Sequence, residues 1–179
     1  MRRISSRAQK WLKSFHIVFA SLWLGGATLL SIKQFMISAE SDGELCGILG
    51  TMVFVDWFII VPGAIGALLT GLIYSLWTRW GWFEHRWITV KWAICVFGVV
   101  FGTYPLGPWL EGMLHLASEQ GLAALSDPEY QHDQLMLIIF GTFQWATITF
   151  AIFLSALKPW KRRGKGASGT PSRCDSPRQ

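Results

Sequence analysis

Four windows of the sequence, residues 14–32, 57–77, 92–110 and 134–157, are each apolar over about the twenty helical residues needed to cross a hydrocarbon core about 30 Å thick. Inside a bilayer a backbone must satisfy its own N–H and C=O groups, and for runs of this length the α-helix does so. The windows therefore predict an all-α chain, an integral membrane four-helix antiparallel bundle. Composition agrees. Of 179 residues, 51% are hydrophobic and 15% charged, and eleven Trp and twelve Phe are more ring surface than one water-soluble core of this size would bury beside its Leu and Ile. A bilayer offers those rings an apolar solvent and two interfacial belts.

The first window follows a basic start, Arg2, Arg3, Arg7, Lys10 and Lys13. A cleaved leader has the same polarity, but the segment is long for one and lacks a clear small-x-small site, so it reads as a span. The second apolar stretch runs from Leu45 to Trp77, 33 residues, which is too long for one crossing. Counting back from Trp77 and Arg79 puts its boundary near Trp57, with residues 45–56 as a helical extension in or above the far interface. GMLHLASEQGLAAL, between Glu111 and Asp133, reads as a short helix lying on the membrane surface. After Trp160 the chain is basic, then rich in Gly, Ser and Pro. The expected organisation is a transmembrane domain over residues 1–160 and a disordered basic cytoplasmic tail over residues 161–179.

Charge orients the bundle. Fifteen of the sixteen Lys and Arg fall on the side of the termini, leaving Lys33 on the other side with eight of the eleven acids. Basic residues at span ends stay in the cytoplasm, so both termini are expected there, in a bacterial inner membrane. This partition accounts for a pI of about 9.4 without nucleic acid. Cys46, Cys95 and Cys174 lie in three different compartments, so no disulfide is expected.

Small and polar residues in helical register mark faces that meet other helices. The first window carries His16, Ala20, Trp23 and Ala27, and the second Gly63, Ala67, Thr70 and Gly71 beyond Pro62. The third carries Lys91, Gly98 and Gly102, and the fourth Gln144, Thr147, Ala151 and Ser155. His16 and Lys91 lie at matched depth, roughly 5 Å inside the cytoplasmic edge at 1.5 Å per residue. An ionisable group so placed is a candidate site. A neutral imidazole suits a transition metal, and four-helix bundles commonly contain heme. The plainer readings are an interfacial His bonded to backbone or water and a snorkelling Lys. Asp56 reads as an interfacial carboxylate paired to water, with a proton or cation site at the outer edge of the second span as the other reading, and His115 and His132 match no tight metal spacing. Phosphate-cradling Gly loop, HExxH and CxxC motifs are all missing, which excludes a nucleotide-driven pump.

FHIVFASLWLGG, VPGAIGALLTG and YPLGPW together resemble a family of uncharacterised bacterial predicted integral membrane proteins over most of residues 11–157. The His, Trp, Gly, Gly spacing of the first motif is similar, more loosely, to copper-resistance D type membrane domains. RWITVKW resembles the third-span segment of the four-helix bacterial protoporphyrinogen oxidases, which bind heme b. That resemblance implies a heme b or porphyrin pocket near the cytoplasmic face, with His16 as the metal ligand and Lys91 as a cofactor-binding and catalytic lysine. Trp23, on the His16 stripe, joins the cofactor-binding set, and quinone is the implied electron partner. After the first-span glycines those oxidases carry a Pro-Arg pair and a second His, where this chain reads ATLLSIKQF. The other expectation is a membrane accessory or copper-handling protein without cofactor.

Overall fold

A computed structural model of the chain describes residues 5–77 and 86–157, and these are helical with no strand among them. Helix α1 (Ser6–Phe35) is followed by α2 (Asp42–Val55), a π-helical stretch (Asp56–Ile60) and α3 (Val61–Trp77). Then come α4 (Arg86–Phe101), a second π-helical stretch (Gly102–Leu106), α5 (Gly107–Gln120), a 3-10 turn (Gly121–Ser126) and α6 (Pro128–Leu157). These segments form four rods long and apolar enough to cross a membrane: Ser6–Phe35, Asp42–Ser75, Val90–Ser126 and Pro128–Leu157. The expected basic tail, residues 161–179, lies outside the described residues.

The two π-helical stretches have a common origin. Val61 N–H bonds the carbonyl of Asp56, and Gly107 N–H that of Gly102, each five residues back. Pro62 and Pro105 have no N–H to give to the carbonyls of Phe58 and Phe101, so the ladder is already open there and a wider turn is accommodated. Helix starts follow from sequence just as directly. Ser41 caps α2, its hydroxyl accepting from Glu44 N–H while Glu44 reaches back to Glu40 N–H. Asp127 precedes α6, with Pro128 in the first position, where a missing N–H loses nothing.

The rods pack antiparallel. On α1 and α3, Trp23 meets Gly63 and His16 meets Gly71. A Cβ on Gly63 would sit 2.8 Å from the backbone nitrogen of Trp23, so this crossing brings main chain against main chain and only glycine fits. A Cβ on Gly98 would fall 3.1 Å from the Trp23 ring, and one on Gly102 3.0 Å from the Gln144 amide. All four expected stripes face inward to this extent: Trp23, Gly63, Ala67, Thr70, Gly98, Gln144 and Ala151 are buried. Trp145 Nε1–H donates to Thr28 Oγ1 at 2.9 Å, pinning α6 to α1.

Two apolar cores result. One, toward the end bearing the chain termini, joins Trp23, Ala64, Ala67 and Ile148. The other fills the opposite, distal end, where Leu45, Leu49 and Met52 of α2 lock against Leu110, Met113 and Ala117 of α5 over a fully buried Tyr130. Residues 45–56 are the helical extension expected, running unbroken into α3, while one expectation is corrected: the stretch 112–125 is no separate surface helix but continues the rod of α4. Each alone looks like a surplus apolar end; together they bury one another, and Asp42 Oδ1 accepts Leu122 N–H at 2.8 Å to close the cap.

Large apolar side chains also cover the outside. Phe15, Phe54, Phe58, Phe97, Phe143, Phe150 and Phe153 are all exposed, on every rod. Their number and distribution suit an apolar solvent rather than water.

Candidate functional site

His16 sits on the α1 face against α3, with its Nδ1 2.9 Å from Thr70 Oγ1. Thr70 has one hydroxyl hydrogen, directed at carbonyls of its own helix, 2.6 Å from Gly66 O and 3.2 Å from Ala67 O. A carbonyl only accepts, so with the hydroxyl proton on the nearer Gly66 carbonyl Oγ1 accepts from the imidazole. In that arrangement His16 is the Nδ1–H tautomer and Nε2 carries the lone pair. Gly71 makes room for the ring: a Cβ there would lie 3.4 Å from Cε1.

Lys91, on α4, is half-buried and close enough to act electrostatically on the imidazole. Cys95, one turn further along, shares its surroundings. Trp23 is different. It lies seven residues beyond His16, about 10 Å along the helix, and its indole packs on Gly98 at the edge of a separate chamber.

That chamber, of about 70 Å3, opens in the distal half of the bundle between the two π-helical stretches, which contribute Asp56 and Ile60 on one side and Gly102 and Thr103 on the other. Gln34 and Gln144 line it from α1 and α6. Three of its polar atoms, Trp23 Nε1, Gln34 Oε1 and Gln144 Oε1, are buried without a hydrogen-bond partner, although Gln144 Nε2 does donate to Gly98 O at 3.2 Å. An unpaired buried polar group costs about 1–3 kcal/mol, so three in the walls of one cavity are a costly feature of the bundle. Asp56 is among the residues that line this space.

At the rim Trp57 Nε1–H donates to Glu111 Oε1 at 2.8 Å, and Glu111 acts electrostatically on Asp56. His115 pairs with Glu119 at 3.7 Å and His132 with Asp133 at 3.1 Å, separately. Among the described residues no group of three or more His, Cys, Asp or Glu is placed to hold a metal ion. A metal bound at His16 would therefore have to bring most of its own ligands. Heme does so, supplying four nitrogens from its macrocycle and needing as few as one from protein. Of the residues there, the His16 imidazole is the one that could ligate a metal and the Lys91 ammonium the one that could pair with a carboxylate.

Sequence reasoning passed over Gln34 because it lies two residues beyond the first window. The signal was present, since Trp23, Ala27, Leu30 and Gln34 continue the inward stripe at three- and four-residue steps. Comparison of the chain with family models, curated proteins and solved structures found no match.

Proposed function

We propose that this chain is a multi-pass protein of the bacterial inner membrane, with both termini cytoplasmic, that binds heme b at His16 for redox or electron transfer. Membrane insertion is supported by four long rods with apolar exteriors, and orientation by fifteen of sixteen basic residues on the side of the termini. The observation that carries the cofactor is the His16–Thr70 hydrogen bond, which commits one ring nitrogen and leaves the other free beside Lys91.

In this reading His16 Nε2 ligates iron, Thr70 holds the ring, and the Lys91 ammonium neutralises a carboxylate of the porphyrin edge. Heme supplies a one-electron couple, and a quinone dissolved in the bilayer is the suited partner. A second reading, a membrane accessory protein without cofactor, is favoured by the tight glycine seam of α1 on α3, in which His16 and Thr70 form a clasp between helices.

Purified protein from cells supplied with porphyrin precursor and iron separates the two. The heme reading expects a Soret band that shifts on reduction, lost in His16→Ala, weakened in Lys91→Ala and partly restored in Lys91→Arg, whose planar fork replaces a compact ammonium poorly. A colourless, folded wild-type protein would rule it out in favour of the clasp.

A further inference from the structure

We propose that the chamber between the two π-helical stretches is a hydrated proton-binding site, with Asp56 as its acceptor carboxylate. Size selects the guest. Liquid water occupies about 30 Å3 per molecule, and an engineered cavity of about 150 Å3 is needed to admit benzene. The chamber, about 70 Å3, has room for a few waters and is smaller than that cavity.

Its wall selects the chemistry. Buried waters make about three hydrogen bonds each. This lining offers an indole donor at Trp23 and amide oxygens at Gln34 and Gln144, each side chain more than nine-tenths buried and each of these atoms without a protein partner. Asp56 adds a carboxylate and Ser31 and Thr103 add hydroxyls. A short water chain running along the hydroxyls to the carboxylate would meet these three sealed atoms on a small rotation of their side chains.

The charges around Asp56 are few. Glu111 on α5 is the ionisable group that acts on it, with one carboxylate oxygen already held by Trp57. α1 and α6 present Ser31, Gln34 and Gln144, all uncharged, while Lys33 and Tyr104 do not line the chamber. The acids of α2, Asp42 and Glu44, lie at least three turns away along the helix. A hydronium entering the chain gives its proton to an Asp56 oxygen, forming one O–H bond and leaving water; the reverse transfer restores both. His16 does not line the chamber, although Trp23 and Ala64 belong both to its wall and to the core toward the termini.

The test is an infrared pH titration of the full chain in lipid nanodiscs. A protonated-carboxyl C=O band should grow as pH falls, move to lower frequency when the aspartates carry 13C in the carboxyl, and vanish from the wild-type minus Asp56→Asn difference only if Asp56 does not titrate. Glu111→Gln should retain the band, and Gln34→Leu and Gln144→Leu should each shift its frequency by removing an acceptor from the chain. If Asp56→Asn fails to fold, the 13C-labelled wild type compared with labelled Gln144→Leu carries the test. The proposal is overturned if that difference holds no carboxyl band, if neither Leu variant moves it, or if sodium at fixed pH abolishes it, which would mark a cation site.

Discussion

Thr70 is the residue on which the chemistry of His16 turns. Its hydroxyl is committed to the carbonyl of Gly66, so it acts on the imidazole as an acceptor and dictates the tautomer. Thr70→Val keeps the shape and removes the oxygen. In 15N-histidine-labelled protein, His16 should change from a single Nδ1–H tautomer to a mixture. In heme-loaded protein the affinity should fall by about ten- to a hundred-fold, the usual effect of losing the group that orients a metal-ligating His. An unchanged tautomer would show that Thr70 does not orient the ring. Trp23 teaches the opposite lesson: it shares a stripe with His16, yet its distance along the helix gives it to the other site.

At the level of elements, α6 begins where it does because Asp127 accepts Glu129 N–H at 2.8 Å and Gln120 Nε2–H at 3.0 Å, just before a proline. The Gln120 side chain first, and then the Glu129 backbone N–H, hold this carboxyl below its ordinary value. A depressed folded-state pKa means stabilisation that is complete above the ordinary carboxylate range and is lost as pH falls through the lowered value. The wild type should therefore melt above Asp127→Asn at neutral pH, and the gap in Tm should close in acid; a gap independent of pH would assign the effect to something other than the charged cap. The π-helical stretches were half legible. Pro62 and Pro105 announce an interruption, but whether a helix answers with a kink or a wider turn depends on what packs beside it.

For the whole molecule, the proposed topology makes a direct claim. Reporter fusions at residue 40, residue 84, residue 125 and the C-terminus should read outside, inside, outside, inside, and a C-terminus outside would overturn the four-crossing arrangement. The all-helical fold, the four rods and the inward faces could be read from the chain alone, because hydropathy and small-residue register are local properties repeated every three or four positions. The similar depth of His16 and Lys91 could be counted for the same reason, since both start from one boundary. The distal core could not: α2 and α5 are each ambiguous apolar ends, and only their pairing through Leu49, Met52, Met113 and Ala117 makes them a packed cap. Nor could the chamber, whose polar atoms come from residues as far apart as Trp23, Asp56 and Gln144. Sequence by itself determined which faces turn inward, because small and polar residues recur in helical register on one side of each rod and large apolar ones on the other. Only the tertiary structure decided which inward groups meet and which are left without partners, because that depends on where the rods cross and where two of them widen.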